Sequence, residues 1–120
     1  MKSIIRISAF TFLLCFLFGS LQLLAQDTKK NEVFKVYGNC DMCKETMEGA
    51  LKKKDGVLKK DWDKKTKMLT VTYDESKITL TQIKQKLADV GYDTDEIQAK
   101  DEVYNKLHKC CHYKRAKDKS

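Results

Sequence analysis

Between residues 32 and 98 the spacing of apolar residues alternates between the strand period of two and the helix period of about 3.6, and no proline interrupts it. Residues 32–37 are β-rich, with Phe34 and Val36 on one face. Gly38-Asn39 marks a turn, and Cys43, Met47, Ala50 and Leu51 then recur at helical spacing. Asp41 is placed to cap a helix over about 41–54, and Asp55-Gly56 to stop it. Residues 57–63 and 68–74 predict a hairpin, with Leu69, Val71 and Tyr73 on its inner face. Thr79-Leu80-Thr81-Gln82 is a capping-box pattern, and Ile78 and Ile83 are spaced as a hydrophobic staple around it. Leu80, Ile83, Leu87 and Val90 form the helix's apolar stripe, and Gly91 ends it. A last strand is expected over about 94–98, and a short helix over 101–109 with Val103 and Leu107 on one face.

This order is β-α-β-β-α-β. It predicts an α+β ferredoxin-like sandwich: a four-stranded antiparallel sheet, two helices on one face, and a short C-terminal helical extension. Right-handed crossovers leave few other ways to connect it. The chain has 120 residues, enough for one small domain and too few for a two-domain enzyme with a deep cleft.

The first 25 residues read as a secretory signal: Lys2 and Arg6, then an apolar run from Ala9 to Phe18, then Ala25 before Gln26. The alternative is an uncleaved membrane anchor, since residues 7–25 carry no charge. Ser8, Thr11, Ser20 and Gln22 dilute that run and favour cleavage. The expected division is a signal peptide (1–25), a polar leader (26–31), a folded domain (32–98) and a Cys-Cys-His extension (99–120). Export places the chain in the periplasm or outside the cell. It also removes nucleic acid as an ordinary partner, although the formal charge is +7. The lysines are interleaved with Asp and Glu, as on a solvated surface.

Export also makes disulfides the default reading of cysteines. Beyond the leader there are Cys40, Cys43, Cys110 and Cys111, in two adjacent pairs rather than scattered as in a disulfide framework. Cys40 falls in the loop after the first strand and Cys43 in the first helical turn. The unsatisfied N–H groups and the positive dipole end there favour thiolate. Two thiolates on a tight loop suit soft ions that accept low coordination, above all Cu(I), with Hg(II) by the same softness; Zn(II) asks for four ligands. A thiol-disulfide oxidoreductase uses the same motif, but a chain without proline lacks the cis-Pro of thioredoxin-like sites. A disulfide-bonded structural module is the other alternative.

Residues 32–98 resemble the heavy-metal-associated domain family, which includes copper chaperones, metal-binding modules of copper-transporting ATPases, and the periplasmic mercury-binding protein. The resemblance rests on Cys40 and Cys43, on Met47, Ala50 and Leu51, and on Gly56-Val57. Val71-Thr72-Tyr73-Asp74, Ile83, Leu87 and Gly91-Tyr92 extend it. It implies a soft or monovalent metal held by Cys40 and Cys43. It also implies non-enzymatic hand-over, by a monomer, to a metal-transporting ATPase or another metal-handling protein. The family loop usually reads Gly-Met-Thr/Ser-Cys-x-x-Cys. Here Gly38-Asn39-Cys40 is one residue shorter and lacks the Met that packs beneath the loop. Tyr92 stands where many bacterial members carry an aromatic near the metal; shielding of the site and core packing are both open to it.

The resemblance stops before Cys110-Cys111-His112. The tail is either frayed or docked through Val103 and Leu107. Docking brings Cys110 or Cys111, with His112 as a further candidate ligand, toward Cys40 and Cys43. Three or four S/N ligands then suit Zn(II) or a tighter Cu(I) site.

Overall fold

The computed structural model describes residues 28–115. The signal segment and the start of the leader lie outside the described residues. Three strands form an antiparallel sheet in the order β1-β3-β2: β1 (Lys29–Lys35), β2 (Val57–Trp62) and β3 (Met68–Asp74). Helix α1 (Asp41–Ala50) connects β1 to β2, and α2 (Leu80–Asp89) follows β3. Among the described residues no helix is long and apolar enough to cross a membrane.

The strand β1 starts earlier than the sequence suggests. Residues 29–31, read as leader, pair with residues 72–74 of β3. Thr28 Oγ1 donates to Asp74 Oδ1 at 2.7 Å and Lys30 pairs with Glu75 at 3.1 Å, which extends the ladder past its apolar part. Helix α1 is shorter than expected. The chain leaves it at Leu51, whose side chain is buried, and a 3-10 turn at Lys53–Asp55 leads to Gly56. Helix α2 matches its signals: Thr79 Oγ1 accepts from Gln82 N at 3.1 Å, and Gln82 Oε1 accepts from Thr79 N at 2.9 Å. Of its expected stripe, Ile83 and Leu87 are fully buried, whereas Leu80 and Val90 are half-buried at the edge of the core.

The expected fourth strand is reduced to one bridge, between Val36 and Thr94, so the described sheet has three strands and not four. The cause is local. Thr94 N donates back to Ile97 O at 2.8 Å, and Thr94 Oγ1 accepts from Ile97 N at 3.0 Å. These two bonds, one between backbone groups and one to the threonine side chain, curl the chain away from β1. Lys84, on α2, holds the curl. Its buried ammonium lies 3.0 Å from both Asp95 and Glu96 and 4.9 Å from the centre of the Phe34 ring.

One core fills the space between sheet and helices. Phe34, Val36, Val57, Trp62, Leu69, Val71 and Tyr73 meet Cys43, Met47, Ile83 and Leu87. Trp62 Nε1 donates to Val36 O at 3.0 Å, so the ring spans from β2 to the loop after β1. Gly38 lies on that ring. A Cβ there would stand 2.6 Å from Met47 Cε and 3.0 Å from Trp62 Cζ2. Gly38→Ala is therefore expected to destabilise the domain by roughly 1–3 kcal/mol through overpacking. Thermal unfolding should show a fall of about 4–8 °C for each kcal/mol lost.

Candidate metal centre

The end of β1 and the start of α1 place the first two thiols. Cys40 is the N-cap residue in extended conformation, and Lys44 N donates to its carbonyl at 3.2 Å. Cys43, one turn on, is fully buried, and its thiol donates to Asn39 Oδ1 at 3.4 Å. The two Sγ atoms are 3.2 Å apart. All four cysteines among the described residues are free thiols, well beyond the roughly 2.0 Å of a disulfide bond.

The C-terminal tail places the other two. Helix α3 (Asp101–Asn105) leads to a 3-10 turn at Lys109–Cys111. Cys110 Sγ and Cys111 Sγ each lie 3.4 Å from Cys40 Sγ, and 3.8 Å from each other. Cys110 is exposed and also lies 4.0 Å from Met42 Sδ. His112 stands apart from this group. After the turn burial alternates: Cys111, Tyr113 and Arg115 are buried while His112 and Lys114 are exposed. The His112 ring instead stacks on Tyr104, with centroids 5.1 Å apart.

The tail is held by buried polar contacts. Arg115 donates to both oxygens of Asp93 at 2.8 and 2.9 Å, to Asp101 Oδ1 at 2.6 Å, and to the carbonyl of Ala99. Tyr113 donates to Gly91 O at 2.7 Å and accepts from Asp93 N at 2.9 Å. Tyr104 donates to Tyr113 O at 2.7 Å. Leu107 lies over Gly91, where a Cβ would meet its Cδ2 at 3.0 Å; Gly91 also has φ 106°. Of the expected anchors, Leu107 packs against the core and Val103 lies half-buried at the surface. The main anchors, Asp93, Tyr113 and Arg115, escape a reading of the sequence by segments. The available signal was the alternation of Cys111, Tyr113 and Arg115 with His112 and Lys114.

Tyr92 is fully buried beneath the thiols and stacks on Tyr113 at 5.8 Å. Its hydroxyl is buried with no hydrogen-bond partner in good geometry among the described residues. Burial, with Cys111 and Cys43 alongside, pushes the phenol above its usual range. The thiols differ in acidity. Burial opposes ionisation of Cys40, but hydrogen bonds from the Cys43 side chain and backbone, and from Cys110 and Cys111, outweigh it and bring the thiol down to about 7. Burial pushes Cys111 up. Cys110 is also raised, chiefly by its hydrogen bond to Cys40.

Only the thiolate is nucleophilic. Iodoacetamide should therefore modify Cys40 with a rate that rises with pH through about 7, as its thiolate population grows. Peptide mapping should find Cys111 modified last. Arg115→Ala leaves the Asp93 carboxylate buried without its cation, at a cost of about 3–5 kcal/mol. It should also bring the modification rate of Cys111 toward that of Cys110.

Comparison with known proteins places this geometry in a family. The heavy-metal-associated domain model matches residues 33–93. The copper chaperone CopZ of Staphylococcus haemolyticus is 38% identical over 64 residues, covering 52% of this chain and 94% of that protein. The solved CopZ metallochaperone is 36% identical with a TM-score of 0.51, over 54% of this chain and 98% of that one. Oxidized MerP from Ralstonia metallidurans is 29% identical with a TM-score of 0.52, over 56% of this chain and 94% of that one. The family match ends at residue 93, before the tail thiols. From Val33 to Asp93, in sequence and in the setting of Cys40 and Cys43, the chain belongs to the heavy-metal-associated domain family.

Proposed function

We propose that the protein is an exported Cu(I) carrier that takes up and passes on its ion by thiolate exchange. The observation that carries this reading is the Cys40–Cys43 pair at the N-terminus of α1. Its sulfurs are 3.2 Å apart, and Cys40 has a thiol brought down to about 7. Thiolates select Cu(I) over hard ions, and a helix N-terminus stabilises their charge. The similarity to CopZ favours copper, and the similarity to MerP keeps Hg(II) as the ion to test against it. Zn(II) is the second competitor, because it asks for more ligands than the loop pair supplies.

Exchange proceeds by attack of a partner's thiolate on the bound ion while one protein thiolate leaves, so no covalent bond of the protein is made or broken. The relatives' role as copper chaperones supports a carrier rather than an enzyme. The partner is a metal-transporting ATPase or another metal-handling protein, met by a monomer. With Lys2 and Arg6 removed alongside the signal, the excess of Lys and Arg is 22 against 17 Asp and Glu, which suits an acidic partner surface through steering. The leader reading puts this work in the periplasm or outside the cell.

Cys40→Ser combined with Cys43→Ser should abolish competition with a Cu(I) chelator while the far-ultraviolet circular dichroism stays native. Asn39 Oδ1 remains available to a serine hydroxyl at position 43. Undiminished Cu(I) binding by that variant, or preference for Zn(II) over Cu(I) in a mixed-metal challenge, overturns the assignment. Export is checked separately: the protein recovered from the periplasmic or culture fraction should begin at Gln26.

A further inference from the structure

The loop pair leaves two thiols unexplained, and the structure brings both to it from the other end of the chain. Cys40 Sγ has three sulfur neighbours: Cys43 at 3.2 Å, and Cys110 and Cys111 at 3.4 Å each. The sulfurs of Cys40, Cys110 and Cys111 lie within 4.8 Å of one another. Seventy positions separate Cys40 from Cys110, so the meeting comes from tertiary structure and not from a local turn.

The contact is also built. Tyr113 and Arg115, immediately after the two cysteines, are buried and bonded to Gly91, Asp93, Ala99 and Asp101. A buried arginine bound to both oxygens of one carboxylate fixes position as well as distance. A frayed tail needs none of this. A further sign of an incomplete site is the buried hydroxyl of Tyr92, which has no hydrogen-bond partner in good geometry among the described residues and has the sulfurs of Cys111 and Cys43 beside it. A phenol donates readily to a thiolate, and the thiols beside it become thiolates when they ligate a metal.

We infer that Cys110 and Cys111 are metal ligands. They join Cys40 to hold one soft ion in three-thiolate coordination, with Cys43 as the buried fourth sulfur of the cluster. The inference rests on the Cu(I) reading above and concerns how the same site is completed. A metal–thiolate bond of about 2.3 Å suits an ion seated just above the triangle formed by the three sulfurs. Binding releases the thiol protons to solvent, and no oxidant or reductant is needed. The exposures set an order of access. Cys110 is exposed, Cys40 half-buried, and Cys43 and Cys111 buried. An incoming partner thiolate therefore meets the ion at Cys110, and the tail controls both entry and release.

X-ray absorption of the protein loaded with one equivalent of Cu(I) tests this, alongside competition with a Cu(I) chelator. The wild type should show three sulfur ligands. Cys110→Ser combined with Cys111→Ser leaves the Cys40–Cys43 pair to hold the ion and should show two, with affinity lowered on the order of a hundredfold, the size of a strong coupling between two parts of one site. Cys110→Ser alone changes an exposed side chain, keeps the fold, and should also lower the affinity. Two sulfur ligands in the wild type, or unchanged affinity in both variants, overturns the tail's role. Such a result leaves the carrier reading standing if Cys40→Ser with Cys43→Ser still abolishes binding. Failure of the wild type to bind Cu(I) overturns both.

Discussion

The buried pair of Asp93 and Arg115 ties together three separate parts of this structure. Asp93 uses its main chain and side chain for separate tasks. Its carbonyl accepts from Tyr37 N at 2.9 Å, which ties it to the chain leaving β1. Its N–H donates to the Tyr113 hydroxyl, and its carboxylate accepts from Ala99 N at 2.7 Å and from Arg115. One residue therefore fastens the loop that carries Cys40, the path into α3, and the tail that carries Cys110 and Cys111. Desolvating both charges costs much of what their attraction returns. What the pair supplies is uniqueness of place: a planar guanidinium matched to a carboxylate has one docking geometry, whereas Leu107 on Gly91 alone leaves the tail free to slide.

The local elements were legible because each carries its own signal. The alternation in β3 and the capping box of α2 are readable within a few residues and stand as read, whereas the helix expected to run to Asp55-Gly56 ends at Ala50, and Gly56 closes only the 3-10 turn that follows. The loop thiols were legible for the same reason. The fourth strand was misread because β propensity at 94–98 competes with a threonine that bonds its own backbone, held by a lysine on a distant helix. The docking of the tail was legible only as a possibility. Its apolar spacing pointed to Leu107, but the decisive bonds join residues 14 to 22 positions apart. An isolated Asp or Arg carries no mark of whether it will be buried.

The shortened metal loop finds its support elsewhere in the core. Met47 and Trp62 close against Gly38, so a methionine from α1 and an indole from β2 occupy the space beneath it. The indole N–H to Val36 O keeps the ring from turning away. The two readings of Tyr92 converge in the structure. It is a core aromatic by burial, and it also screens the thiols from below, because the core reaches up to the sulfur atoms without an intervening layer.

The early curl at Thr94 has a consequence far from the thiols. With one bridge in place of a strand, β1 is left at the border of the sheet. A bare strand border is a template on which a second chain can add, and stacking of that kind leads to aggregates. Lys29, Lys30 and Lys35 lie along this one, with Glu32 as the single acid in the strand. Two such borders brought side by side set like charges against each other. Lysines along the border oppose such pairing, and that opposition is electrostatic, strongest in dilute electrolyte and weakened as salt screens it.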